Sequence, residues 1–90
     1  MILSISGIIV EKVPLSNRAG KNYGTAYAIQ DVNGERYPFL LTDKKKDEAF
    51  NIQIGDSVSV MLLATAVYDK KYGRLGINMF LSKLYREVKI

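Results

Sequence analysis

The apolar positions of this chain alternate with polar ones instead of recurring at helical spacing. The pattern is clearest near the end, where Leu75, Ile77, Met79 and Leu81 fall on one side of an extended chain. Gly76, Asn78, Phe80 and Ser82 fall on the other. Upstream, Val58, Val60 and Leu62 alternate with Ser57, Ser59 and Met61 in the same way. Isoleucine and valine dominate, and both suit a pleated, half-buried surface. The pattern predicts five strands: roughly Ile2 to Val13, Tyr23 to Val32, Glu35 to Leu41, Ser57 to Tyr68, and Leu75 to Leu81. The alternating residues Val58, Val60, Leu62, Leu75, Ile77, Met79 and Leu81 are the expected core.

The punctuation between these runs is specific. Gly7 inside the first strand marks a bulge or sharp bend, and Pro14 is expected to end that strand. Leu15 to Asn22 is polar and basic and reads as a loop. Asn33-Gly34 is the strongest short hairpin signal, predicting a type I′ turn with positive φ at both residues. Pro38 points to an edge position or a bulge in the third strand. Asp43 can cap a short helix running through Asp47, Glu48, Ala49 and Phe50, although Lys44, Lys45 and Lys46 oppose the dipole in its first turn. Lys83 to Ile90 forms an amphipathic tail, read as a short strand or helical turn. A long bent strand, a hairpin, a short helix and a second long hairpin form the order of an OB-fold, a five-stranded, partly open Greek-key barrel. The whole chain, residues 1–90, is expected to be one such all-β domain.

Composition narrows the chemistry. Ninety residues with no cysteine, histidine or tryptophan allow no disulfide, no thiolate or imidazole metal site, and no Ser-His-Asp or Cys-His arrangement. No cofactor, metal or enzymatic activity is therefore expected. No run of apolar residues is long enough to span a membrane, and the apolar start lacks the basic flank and cleavage site of a signal peptide, so a cytoplasmic location is expected. Thirteen Lys and Arg against nine Asp and Glu leave +4, which permits an anionic partner without demanding one.

Placement says more than the total. Arg18 and Lys21 fall in the first loop, and Lys70, Lys71 and Arg74 in the last. Tyr23 and Tyr27, then Tyr37 and Phe39, project onto the second and third strands beside Arg36, and Tyr68 and Tyr72 flank the last loop. Six of the nine aromatic residues thus lie on two strands and one loop. Single-stranded nucleic acid is bound by cations that track phosphates and by rings that stack on unpaired bases. A duplex reader would present a helix or ribbon to a groove, and no recognition helix is in view. The plainer readings stand beside this one. Tyr27, Tyr37 or Phe39 can fill the barrel, Tyr68 can pack at a strand end, and Lys70, Lys71 and Arg74 can be a solvated hairpin tip. Lys44 to Lys46 are nearly cancelled by Asp43, Asp47 and Glu48. An exposed Phe80 would be an interface contact. Gly20-Lys21-Asn22 lacks the remainder of a P-loop, and Asp43, Asp47 and Glu48 are too few for a metal site.

Three blocks carry a family resemblance. Gly20-Lys21-Asn22-Tyr23 resembles a Gly-Lys-Pro-Tyr segment, Asn33 to Leu41 resembles a hairpin ending in Tyr-Pro and an apolar run, and Tyr72-Gly73-Arg74-Leu75 stands in the place of Phe-Gly-Ser-Leu. Together they resemble the gene V single-stranded-DNA-binding proteins of filamentous phages. The long apolar N-terminus, the helix candidate and the longer fourth strand depart from the small members of that family. The resemblance implies a phage-type DNA-binding homodimer without catalysis, acting in DNA replication or recombination in a host cytoplasm, with Arg18, Lys21, Tyr23, Tyr37 and Tyr72 on the nucleic acid. Tyr68, Tyr72 and Phe80 are the dimer-interface candidates. The competing expectation is an OB-fold interaction module whose rings meet protein.

Overall fold

The first strand, β1 (Ile2–Ser16), runs straight through Pro14 instead of stopping there. Residues Ile2 to Ile8 pair with one neighbour and Ile8 to Ser16 with another, so Ile8 is where the strand changes partner. Beyond Ile9, whose N–H donates to the Asp56 carbonyl and whose carbonyl accepts from the Gly55 amide, only the β2 side is paired among the described residues, and a free edge accepts a residue that has no N–H to donate. Gly7 sits at the crossing for a steric reason. A Cβ there would lie 2.1 Å from the Gln30 carbonyl oxygen. The bulge itself falls at Val10, between Ile9 and Glu11.

The computed structural model describes residues 1–86, and the remaining tail, part of the predicted amphipathic segment, lies outside them. After β1 come β2 (Asn22–Gln30), β3 (Arg36–Leu41), the helix α1 (Lys44–Phe50), β4 (Ser57–Asp69) and β5 (Arg74–Arg86). The last strand therefore extends well past the predicted Leu81. The strands close in the order β1-β2-β3-β5-β4, with α1 between β3 and β4. This is an OB-fold. Closure between β3 and β5 is parallel and rests on a single bridge, Leu40 to Phe80. Pro38 is accommodated because β3 is almost an edge strand.

Both hairpins of the β1–β2–β3 meander turn by one device. Asn17 accepts from the amides of Ala19 and Lys21 through Oδ1, and Gly20 takes φ 78°. Asp31 accepts from the amides of Asn33 and Glu35 through Oδ1, and Gly34 takes φ 81°. Only the glycine has positive φ in each, so the predicted type I′ turn at Asn33-Gly34 is replaced by a longer turn with a single left-handed residue.

The core joins Ile5 and Ile9 of β1, Tyr27 and Ile29 of β2, Phe39 and Leu41 of β3, Ile52, and Val58, Val60 and Leu62 of β4. Met79, Leu81 and Leu84 of β5 pack against it half-buried. The expectation for Leu75 and Ile77 is corrected: they are 75% and 66% exposed. The β4–β5 ladder continues in unbroken register from Ala64↔Met79 to Asp69↔Arg74, but β1 ends beside Leu63. The last contact is Ala64 N–H donating to the Met1 carbonyl. Past that point the hairpin is a two-stranded arm with no barrel beneath it, in a molecule 50 Å long and 20 Å thick.

Helix α1 closes one end of the barrel. The Asp43 carboxylate accepts from the amides of Lys45 and Lys46, and Asn51 ends the helix at φ 48°. Those capping bonds offset the unfavourable position of the three lysines. Asp47 on the inner side accepts from Thr25 Oγ1 at 2.5 Å and from the Tyr27 hydroxyl, which ties the helix to β2.

Candidate nucleic-acid interface

The side chains with binding chemistry separate into three groups. The first has turned inward. Tyr27 and Phe39 are cross-strand partners whose rings stack 5.4 Å apart at 24° inside the barrel, 2% and 1% exposed. Neither can receive a base, which corrects the expectation for both. Tyr37 shares their face, is half-buried against the core, and donates its hydroxyl to Asp31 Oδ2 at 3.4 Å. Burial, then the nearby carboxylate, raises its pKa. The Tyr27 pKa is raised further, by burial first and then by the bond to Asp47. The physical reason is volume. Along β2 and β3 the inward positions hold Tyr27, Ile29, Tyr37, Phe39 and Leu41, while Ala26, Ala28 and Pro38 point outward. Only the larger set fills the barrel.

The second group is already partnered. Arg36 lies outward on β3, but its guanidinium reaches Gln30 Oε1 at 3.0 Å and Glu11 Oε1 at 3.2 Å. Lys12 donates to the Ile52 carbonyl, and Arg86 to the carbonyls of Phe50 and Asn51 and to Asp56. These cations are part of the scaffold. Phe80 points outward as expected, and it is half-buried at the β3–β5 closure beside Leu40 and opposite Leu63.

The third group is exposed and, among the described residues, makes no ion pair. It forms two clusters. One is the β1–β2 turn, where Arg18 and Lys21 stand beside Tyr23, itself 45% exposed. The other is the tip of the arm. There Asp69 Oδ1 accepts from the Lys71 amide, and Gly73 takes φ 60° to turn the chain. Lys70, Lys71 and Arg74 lie within two residues of Tyr72 along the chain, and the Lys71 ammonium sits 5.4 Å from the centre of the Tyr72 ring. Tyr68 is exposed close by, since a Cβ on Gly73 would lie 3.9 Å from its hydroxyl. It does not pack at a strand end. Two rings and three cations thus share one solvent-exposed tip, the arrangement that suits phosphate tracking with base stacking. The two clusters lie at opposite ends of β1, because the arm leaves past Met1 and the turn follows Ser16.

Other chemistry is sparse. Among the described residues no group of acidic side chains could hold a metal ion, and no helix is long and apolar enough to cross a membrane. A cleft of about 520 Å³ lies where β1 changes partner, lined by Ser6, Gly7, Gln30, Asp31, Ser59 and Tyr85 among others. It contains none of the residues singled out for binding. What sequence reasoning misses is the apolar side of the arm, because alternation alone assigns Leu75 and Ile77 to the core. The available signal was length, because strands of thirteen residues outrun a small barrel.

No family model matches the sequence, and no curated protein does. Among solved structures, the chain is similar to the mitochondrial single-stranded DNA-binding protein Rim1 from S. cerevisiae. The TM-score is 0.67 at 14% identity, over 96% of this chain and 94% of that one. At that identity the likeness is one of fold.

Proposed function

We propose that this chain is a non-enzymatic protein that binds single-stranded DNA with little sequence preference. The observation that carries the reading is the arm tip, where Tyr68 and Tyr72 stand with Lys70, Lys71 and Arg74, cations that make no ion pair among the described residues. The fold likeness to a single-stranded DNA-binding protein supports it. Phosphates would be met by these three cations and by Arg18 and Lys21, and bases by Tyr72, Tyr68 and Tyr23. The grip is thus moved off the outer face of β2 and β3, which bears no ring. Of the residues implied by the gene V resemblance, Arg18, Lys21, Tyr23 and Tyr72 remain in this reading, and the inward Tyr37 leaves it. A role in replication or recombination, and pairing of two subunits, belong to the same proposal.

Tyrosine fluorescence titrated with oligo-dT and with duplex DNA at two salt concentrations tests it. Quenching by oligo-dT that weakens steeply with salt is the expected result. Quenching that is equal with duplex would remove the stacking argument, and no quenching at low salt would sink the reading. Oligo-U in the same titration separates DNA from RNA.

A second reading has its own observation. The outer face of β1, β2 and β3 presents the exposed Val13 and the half-buried Ala26 and Leu40, apolar and without rings. That surface fits an OB-fold interaction module or accessory subunit, whose association would show little salt dependence.

A further inference from the structure

Between the two basic clusters lies a face with a single charged pair. Strands β3 and β5 run parallel where Leu40 meets Phe80, so the start of β3 lies at the end of the barrel from which the arm leaves. Tyr23 and the β1–β2 turn lie at the other end of β2, since Gln30 pairs with Arg36 and Thr25 with Leu41. A nucleic acid held by both clusters therefore crosses the outer face of β1, β2 and β3. These three strands hold only three charged residues, Glu11, Lys12 and Arg36. Lys12 stands opposite Tyr27 on the inward side and donates to the Ile52 carbonyl. Glu11 and Arg36 are left on the outer face, where Val13 and Pro38 are exposed and Ala26 is half-buried.

In the unliganded protein Arg36 belongs to the scaffold with Lys12 and Arg86, but it is held differently. Lys12 and Arg86 donate to backbone carbonyls. Arg36 is held by side chains alone: it reaches across β2 to Glu11 Oε1 at 3.2 Å, and Gln30 Oε1 accepts from its Nε at 3.0 Å. The Arg36 side chain is 58% exposed and that of Glu11 56%. An ion pair this exposed shifts an equilibrium by at most about fivefold. A phosphate offers a guanidinium two oxygens just as a carboxylate does, so either can occupy it.

We propose that Glu11 holds Arg36 in reserve, and that a backbone phosphate replaces the carboxylate only when the nucleic acid is already held at both ends of this face. The exchange breaks one ion pair and makes another, so it gains little by itself. Concentration decides it. Glu11 is tethered beside Arg36, whereas the phosphate of a free nucleotide competes from bulk solution. A nucleic acid anchored at the arm tip and at the β1–β2 turn presents its phosphates at an effective concentration on the order of millimolar. Glu11 is thus a specificity-determining residue, which makes Arg36 answer to the length of the nucleic acid instead of to phosphate as such. The face bears no ring, so the contact there is to the backbone alone. This exchange presupposes the proposed function and adds a residue that opposes binding until the ligand is long enough.

Oligo-dT of about 16 nucleotides and of about 4 separates a ligand that crosses the face from one that reaches a single cluster. Both are titrated at several salt concentrations with the wild type, Glu11→Gln, Arg36→Gln and the double variant. With the long oligonucleotide, Arg36→Gln is expected to lower the salt slope by about 0.7, the share of one phosphate on a single strand. Glu11→Gln is expected to tighten binding of the long oligonucleotide. That gain should be about two- to fivefold larger with Arg36 present than in the Arg36→Gln background, because only there does it include release of the pair. The short oligonucleotide should bind all four proteins alike. Circular dichroism should match the wild type throughout, since both side chains are exposed. An unchanged slope in Arg36→Gln, an equal Glu11→Gln gain in both backgrounds, or the same gain with the short oligonucleotide overturns the inference and leaves the proposed function standing. A wild type that binds neither oligonucleotide removes the proposed function, and the inference with it.

Discussion

One hairpin meets two fates in this molecule. Near the barrel, Val58, Val60 and Leu62 of β4 stand on the inward side and are at most 3% exposed. A few residues on, the same side carries Ala66, Tyr68, Leu75 and Ile77, all of them exposed. The pairing runs on from one half to the other across a single register shift between Met61 and Leu62, and the alternation along β4 does not change. What changes is the neighbour, because β1 ends beside Leu63. Alternation therefore reports that a face is covered by something, and topology decides whether the cover lies within the chain.

Paired substitutions sharpen this contrast. The largest difference is expected between two glycines. Gly7→Ala places a Cβ against the Gln30 carbonyl and should destabilise by about 3 kcal/mol or more. Gly76→Ala, whose nearest neighbour would lie 3.9 Å away, should leave the urea midpoint nearly unchanged. Next come the leucines. Leu62→Ala should cost about 3 kcal/mol in urea unfolding, whereas Leu75→Ala should cost the monomer less than about 0.5 kcal/mol. A large loss at Leu75 in dilute protein would break the comparison, since it would mean that the arm has an internal partner.

Rings divide in the same way. Tyr72→Ala should weaken oligo-dT binding by about 1–3 kcal/mol with little change in salt slope, and Lys71→Ala should reduce the slope by about 0.7. Tyr27→Phe should leave binding alone. Its effect belongs to stability against pH. The Tyr27 and Tyr37 pKa values are raised in the folded protein, so their contribution is complete below the ordinary tyrosine pKa of about 10. It is lost as the pH climbs above that, because the unfolded chain gives up those protons first. Unfolding measured at pH 9 and pH 11 should show the loss, and Tyr27→Phe should make it smaller. An unchanged alkaline loss in that variant would assign it elsewhere.

Much of the fold could be read from residues. Alternation, Pro38 and the Asp43 cap located the strands and the helix, and their order named the barrel. The limits had separate causes. Pro14 did not stop β1, because a strand paired on one side has no use for that N–H. The Asn33-Gly34 turn was lengthened by the Asp31 carboxylate, a side-chain bond outside any dipeptide rule. For Tyr27, Tyr37 and Phe39 the sequence leaves a stacking platform and a filled barrel both open, because rings on strands suit either. The alanines and proline between them were the contrary signal, since a barrel takes its larger residues inward. At the site, charge and ring placement correctly put Lys70, Lys71, Tyr72 and Arg74 in one exposed loop. Sequence spacing carries no information on how far that loop stands from the barrel.

The single Leu40–Phe80 bridge makes the β3–β5 junction a seam in the barrel wall. The other ladders each carry six or more paired positions. Parting the seam sacrifices one backbone pairing and the packing of Phe80 beside Leu40 while every antiparallel ladder stays intact, so it should cost less than opening any of those ladders. Amide protons along β3 that do not face β2 should exchange early, and those shared by β1 and β2 late. The closed barrel is then better described as a curled sheet with a clasp, able to widen without unfolding.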